Sequence, residues 1–260
     1  MIKVNNISHG YGEQSVLKDI ELTIPAGELL AVMGANGAGK STLLATIAGT
    51  IMPTLGHVEI DGVTRRSSVE GEIAIRKKIA YLPASPWMSR QIKVRKWLHL
   101  YGQLYDVPKR RLLQHTESLL QLFHLIEQAD KSIQSCSTGQ QKKVAICSAL
   151  ITDAPVLILD EPFTGGLDPS AIRALERVLK RLADKEDRTV VIASQIPELV
   201  EAVANRVAIL SDNQIVGIGS LDEMRQTFGT DGPLGELFEQ VVQPDPEDEV
   251  ETYFKAEASS

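Results

Sequence analysis

Nine residues could do phosphate chemistry: Gly34-Ala35-Asn36-Gly37-Ala38-Gly39-Lys40-Ser41-Thr42. The spacing G-x-x-x-x-G-K-[ST] is that of a loop that wraps phosphate oxygens. Gly34, Gly37 and Gly39 let the main chain approach an anion closely. Asn36 and Ala38 lie within the same cradle, and Lys40 carries the charge that reaches the β- and γ-phosphates. Ser41 offers a hydroxyl to Mg²⁺, and Thr42 opens a helix whose free N–H groups and dipole favour the same anion. The motif predicts a nucleoside-triphosphate site. Its positioning elements are equally readable. Leu29-Leu30-Ala31-Val32-Met33 is a short apolar run of buried-strand type, and Thr42 to Ala48 reads as a helix ended by Gly49.

A second group of chemical residues lies between Cys136 and Asp168. Val156-Leu157-Ile158-Leu159 reads as a strand buried on both faces of a parallel sheet. It ends in Asp160-Glu161-Pro162, and a carboxylate just past the carboxyl end of such a strand lies where ligands bind in open α/β sheets. Asp160 is therefore placed to hold Mg²⁺, and Glu161 to polarise an attacking water. Upstream, Ser137-Thr138-Gly139-Gln140 precedes an apolar helix read from Gln141 to Ile151, with Ser137 also suited to cap it.

These three blocks, at these spacings, resemble the Walker A, signature and Walker B motifs of an ATP-binding cassette (ABC) ATPase. The similarity covers about residues 1 to 220. Tyr11 stands where such proteins place an aromatic against adenine. Gly56–Gly62 resembles the hairpin after the first helix, Tyr81-Leu82-Pro83 the strand leading to the Q-loop, and Leu167-Asp168-Pro169 the D-loop end. The resemblance implies an α/β P-loop NTPase fold. A RecA-like core sheet would be joined by a small antiparallel sheet from about residues 1–30 and 55–63. A helical signature lobe would span about 84–137, within a cassette domain of residues 1–228. Residues 229–260 read as a C-terminal extension, acidic from 243 on (Pro244-Asp245-Pro246-Glu247-Asp248-Glu249) and expected to be solvated.

In that family two cassettes sandwich ATP head to tail. The resemblance thus implies that Ser137, Gly139 and Gln140 meet nucleotide bound by the partner cassette, with Asp168 offered across the interface. It also implies ATP and Mg²⁺ as ligands, and a second cassette, identical or not, as partner. An exporter-type permease subunit would supply the membrane-spanning part, and the location would be the cytoplasmic face of a membrane. A soluble cassette of an assembly or repair complex, of iron–sulphur scaffold type, is the alternative, as is a binding-only regulatory cassette. Trp87 and Met88 lie where transporter cassettes receive a helix of the membrane subunit; Trp97 reads as core.

The sequence departs from the family around the γ-phosphate. Ala84 takes the Q-loop glutamine position, and Gln195 takes the switch-histidine position. Asp160 to Asp168 is one glycine longer than usual, and Thr138 replaces the first signature glycine. Glutamine can donate a hydrogen bond but cannot take up a proton as imidazole does. With Lys40, Asp160 and Glu161 intact, ATPase chemistry is expected, slow or dependent on a partner.

Composition agrees. Hydrophobic residues make up 43% and charged residues 23%, near the globular average, and a net charge of −7 speaks against general nucleic-acid binding. Cys136 and Cys147 lack metal-ligand spacing. The N-terminus lacks the apolar stretch of a signal peptide, and no run reaches the ~20 apolar residues of a membrane span.

Overall fold

The computed structural model describes residues 1–184 and 188–242. In chain order the elements are β1 (Ile2–Tyr11), β2 (Gln14–Ile24), β3 (Leu29–Met33), α1 (Lys40–Ala48), β4 (Leu55–Ile60), β5 (Val63–Thr64), α2 (Val69–Lys78), β6 (Ile79–Leu82), α3 (Val94–Leu104), α4 (Lys109–Leu122), α5 (Thr138–Leu150), β7 (Val156–Asp160), α6 (Pro169–Asp184), β8 (Thr189–Ala193), α7 (Pro197–Val203), β9 (Arg206–Ser211), β10 (Gln214–Gly219), α8 (Leu221–Phe228) and α9 (Leu234–Val242). The acidic stretch from residue 243 lies outside the described residues.

The strands form two sheets. One has six strands in the order β10-β9-β3-β8-β7-β6; the other is antiparallel, in the order β2-β1-β4-β5. In the larger sheet β9, β3, β8, β7 and β6 run parallel, and β10 closes the edge as an antiparallel hairpin on β9. Asp212 and Asn213 turn that hairpin with φ of 48° and 67°, the left-handed pair that two-residue hairpin turns require. The antiparallel sheet draws on residues 2–24 and 55–64. Residues 29 and 30, expected at its margin, belong instead to β3 of the parallel sheet.

Every residue of β3, β7 and β8 is buried, as their unbroken apolar runs require of parallel strands covered on both faces. The two-residue period divides them between two cores. Leu29, Ala31 and Met33 face one core with Leu157, Leu159, Val190 and Ile192, against α3 to α7 and α9. Leu30 and Val32 face the other with Ile158, Val191 and Ala193, against α1 and the antiparallel sheet.

Two helices differ from the sequence reading. α5 begins at Thr138, three residues before the expected Gln141. Ser137 and Gln140 form a reciprocal cap (Ser137 N–H to Gln140 Oε1, 2.9 Å; Gln140 N–H to Ser137 Oγ, 3.3 Å), which starts the helix immediately after Ser137. α2 was not expected, because it buries only Ile75 and so shows no apolar stripe. Its ends are nevertheless coded: Ser68 caps Gly71 N–H, Glu70 and Glu72 lie in the first turn, and Arg76 to Lys78 in the last.

The helical region between β6 and α5 is tied to α5 and to the sheet by polar contacts. Trp97 Nε1–H donates to Ser148 Oγ at 2.9 Å, and Tyr105 O–H to the Ile79 carbonyl at 2.8 Å. Asp153 joins Arg111 of α4 and Arg188 ahead of β8, with His115 Nδ1 at 3.8 Å. Burial alone would push the Asp153 carboxyl up, but hydrogen bonds from Arg111 and Arg188 outweigh it and hold it at about 2. A depressed folded value means stability that is present above the unfolded carboxylate range and is lost as pH falls from about 4 towards 2. Asp153 has φ of 53°, which asparagine tolerates, so Asp153→Asn isolates the charge. We expect that variant to lower stability at pH 7 by about 1–2 kcal/mol after solvent screening, or roughly 2–8 °C in Tm. The difference from wild type should shrink in melts below pH 4, and an equal loss at pH 3 would contradict it.

Candidate functional site

The parallel ladder brings four loops to one edge. β3 leads into Gly34–Gly39, β7 into Glu161, β8 into Ser194 and Gln195, and β6 into Pro83 and Ala84. Because β3, β8 and β7 are adjacent, the phosphate-type loop, Gln195 and the two carboxylates converge at the carboxyl ends of the strands.

The glycine loop closes against its surroundings on one side and opens on the other. A Cβ on Gly34 would come 2.4 Å from the Leu210 carbonyl oxygen, and one on Gly39, at φ 103°, 2.7 Å from that of Val16. At Gly37, φ 83°, a Cβ would meet nothing within 4 Å. α1 starts at Lys40, two residues before the expected Thr42, so Lys40 and Ser41 lie in its first turn, where main-chain N–H groups are unpaired. Ser41 is exposed at this mouth; Thr42 is buried beneath it. Lys40 is buried, and its Nζ donates to the carbonyls of Gly34 (2.8 Å) and Ala35 (3.0 Å). Burial lowers the Lys40 pKa, while the charges of Glu161 and Asp160 pull it back up.

Around Lys40 stand the groups that the sequence singled out. Glu161 Oε1 lies 4.0 Å from Lys40 Nζ and accepts from Gln195 Nε2 at 3.1 Å. The same Gln195 Nε2 donates to Asn36 Oδ1 at 2.7 Å. One amide thus bridges the loop after β3 to the loop after β7, a contact that no local pattern announces. Gln195 is a tether for Glu161 through its two N–H bonds. Tyr81 adds a residue that the sequence offered only as a strand marker: burial first, then the charge of Asp160, pushes its phenol well up, so it stays neutral beside that carboxylate.

Two buried carboxylate oxygens, Asp160 Oδ1 and Glu161 Oε2, have no hydrogen-bond donor. An unpartnered buried carboxylate oxygen is costly and asks for a cation or an ordered water. Among the described residues no cluster of three His, Cys, Asp or Glu side chains exists. One carboxylate with a hydroxyl and open positions for phosphate oxygens and water suits Mg²⁺, which seldom takes an all-protein cage. Asp160 and Ser41 fit that group.

Tyr11, 56% exposed, ends β1 with its ring edge-on to His9 at 5.0 Å. It pairs with Gln14 across the β1–β2 hairpin, and Val16 of the same hairpin closes on Gly39, where a Cβ would come 2.7 Å from the Val16 carbonyl oxygen. Ala84 is exposed and offers no polar group.

The signature residues stand apart. Among the described residues, no hydrogen bond or ion pair joins Ser137, Gly139 or Gln140 to Gly34–Thr42; in this chain Ser137 and Gln140 cap α5. Asp168 is likewise engaged within its own chain. Its Oδ1 accepts from the N–H groups of Ser170 (3.1 Å) and Ala171 (3.0 Å) at the start of α6, and its other oxygen pairs with Lys143. The Lys143 hydrogen bond first, then those from Ser170 and Ala171, holds this carboxyl far below the usual range.

Placing an imidazole at position 195 tests the tether. Wild type has no group there that titrates near neutrality, so the ratio of Gln195→His to wild-type ATP turnover should bend between about pH 6 and 7. A ratio flat from pH 5.5 to 8 would show that the side chain at 195 does not act on the reaction.

The comparisons with known proteins agree with this geometry. The family model described as ABC transporter matches residues 17–164. The chain is 29% identical over 248 residues to the ABC-type transporter ATP-binding protein EcsA of Bacillus subtilis, covering 94% of this chain and 98% of that protein. A solved ATP-binding subunit of an ABC transporter superposes with a TM-score of 0.85 at 30% identity, covering 92% of this chain and 98% of that one. The dimeric post-hydrolysis state of the ATP-binding cassette MJ0796, bound to ADP and Pi, superposes with a TM-score of 0.76 at 26% identity, over 85% and 99% of the two chains. With a family model covering more than half of its length, this chain belongs to the ABC transporter family, as an ATP-binding ATPase cassette.

Proposed function

We propose that the chain works as one half of a cassette dimer that binds Mg²⁺-ATP and hydrolyses it at Glu161 to drive a separate membrane-spanning permease of exporter type. The observation that carries the chemistry is the convergence of Lys40, Glu161 and Gln195 over the glycine loop, beside two buried carboxylate oxygens that lack protein donors. Gly34–Thr42 would cradle the phosphates, Lys40 would move from the loop carbonyls onto the β- and γ-oxygens, and Ser41 with Asp160 would hold Mg²⁺. That ion, when bound, neutralises charge on the phosphate oxygens. Glu161 orders a water for attack on the γ-phosphorus and takes its proton as the bond to the bridging oxygen breaks, leaving ADP and phosphate. Tyr11 would carry the adenine. Ser137, Gly139 and Gln140, exposed or half-buried at the start of α5, are free to meet nucleotide held by a second cassette, and Asp168 would be offered at the same interface.

Reliance on a separate permease agrees with the finding that, among the described residues, no helix is long and apolar enough to cross a membrane. The docking surface is the loop of Trp87 and Met88. Trp87 is 81% exposed with its ring 6.2 Å from that of Trp97, and it borders a cleft of about 380 Å³ closed by Ile133 and Gln141. An exposed tryptophan beside a cleft is a typical anchor for a partner helix. The exporter-type reading rests on the wording of Tyr81-Leu82-Pro83 and Ser137-Thr138-Gly139-Gln140.

Steady-state Mg²⁺-ATP turnover of the purified chain at high concentration tests the chemistry. Glu161→Gln should keep nucleotide affinity and lose at least about 10²-fold in turnover; wild-type turnover in that variant removes Glu161 from the mechanism. Trp87→Ala should leave this basal turnover unchanged and weaken co-purification with a membrane subunit by about ten-fold or more. Intact co-purification would move the docking surface elsewhere.

A further inference from the structure

Glu161 sits on a loop that is gripped from behind by α5. Lys142 and Lys143, in the second turn of that helix, are each only 7% exposed, although lysine is rarely buried without a dedicated partner. Lys143 has an evident one in the Asp168 carboxylate. The ammonium of Lys142 instead donates to a main-chain carbonyl, that of Glu161, at 2.9 Å. Thr164 Oγ1 donates to the same oxygen at 3.0 Å. The stem of Lys142 runs beside Gly165, where a Cβ would come 3.5 Å from the lysine Cδ.

The carbonyl so held belongs to a residue in an unusual conformation. Glu161 has φ of 46°, left-handed and unfavourable for a glutamate. Such a conformation persists where surrounding contacts over-determine it. On one side the Glu161 N–H donates to the Ala193 carbonyl at 3.0 Å, continuing the β7–β8 ladder. On the other, Lys142 and Thr164 hold the carbonyl. The peptide groups on both sides of the Glu161 Cα are thus held, and the Cα–Cβ direction that sends the carboxylate towards Lys40 and Gln195 follows from them.

We propose that Lys142 is a positioning residue for hydrolysis: by holding the Glu161 carbonyl it maintains the left-handed turn that aims the Glu161 carboxylate into the site. The inference rests on the reading of Glu161 as the group that orders water. Lys142 acts through Glu161 and touches neither nucleotide nor metal. It also lies on the helix whose first turn is Thr138-Gly139-Gln140, and a Cβ on Gly139 would come 2.2 Å from the Gly166 carbonyl oxygen. Movement of that first turn is therefore transmitted through Lys142 and Gly166 to the loop carrying Glu161 in the same chain.

The test uses the full chain, with turnover, nucleotide affinity and melting temperature measured together. Lys142→Met keeps the stem and removes the donor. It should lower kcat about 10- to 100-fold, the range expected when a reacting group is misplaced by about an ångström. KM and ATP affinity should stay within about two-fold, since Lys142 has no direct part in binding. Lys142→Arg, which restores a donor, should recover most of the rate. In a Glu161→Gln background Lys142→Met should have no further effect, because the aimed carboxylate is gone. Unchanged kcat in Lys142→Met, or an equal fold-loss in the Glu161→Gln background, overturns the proposal while leaving the role of Glu161 intact. Full turnover in Glu161→Gln alone overturns the underlying reading instead. Should Lys142→Met lose its fold, exposed Thr164 supplies the second probe. Thr164→Val removes the other side-chain donor to the same carbonyl and should lower kcat about three-fold or more at unchanged affinity; no change there also overturns the proposal.

Discussion

One row of the parallel ladder fixes the whole site. Val32 of β3 and Asp160 of β7 both pair with Ala193 of β8, so three loops leave the sheet from the same level. Two further bonds carry the row beyond the strands: Ser194 N–H to the Val32 carbonyl at 3.2 Å, and Glu161 N–H to that of Ala193 at 3.0 Å. A one-residue slip of β7 against β8 would exchange its two faces between the cores and turn Asp160 away from the glycine loop. Register here is held by packing on both faces, Leu157 and Leu159 on one side and Val156 and Ile158 on the other. The placing of that edge is thus a consequence of apolar burial along the strands that lead to it.

Electrostatics then decides what that edge can accept. Lys40 and Lys142 are buried opposite Asp160 and Glu161, two cations against two anions, and buried ions persist only when paired. The pairing is loose: Lys40 is 4.0 Å from Glu161, and two carboxylate oxygens lack donors. A site that is neutral overall yet unsatisfied locally favours a ligand that brings anionic oxygens to the lysine and a cation to the carboxylates together. A metal–triphosphate does both. The excess negative charge of the triphosphate falls to the N–H groups at the start of α1 and to its dipole.

Sequence carried the parts whose physics is local. The glycine spacing, the apolar runs of β3 and β7, and the helix of α1 closed by Gly49 are each written within a dozen residues. It failed where the signal is weak or distant. α2 is a charged helix with one buried side chain, so periodicity is silent and only its caps speak. The bridge from Gln195 to Asn36 spans 159 positions, and the bond from Lys142 to Glu161 spans 19, so neither leaves a local pattern. Ser137 was legible as a cap, but the reciprocal bond from Gln140 that starts the helix at Thr138 rather than Gln141 was not.

The segment between Asp160 and Asp168 shows why chemistry and fold cannot be separated here. Within it Gly165 and Gly166, at φ 85° and 81°, bend the chain in conformations that other residues rarely adopt. The bend lays the Gly166 carbonyl against Gly139 and leaves Asp168 to cap α6 and pair with Lys143. The contacts of Gly166 with Gly139 and of Asp168 with Lys143 both end on α5. Instead of standing clear of its own chain, the segment is tied at Glu161, Gly166 and Asp168 to the one helix that also presents Ser137. The start of α5, the loop and the Glu161 carboxylate are thus joined by direct contacts within one chain.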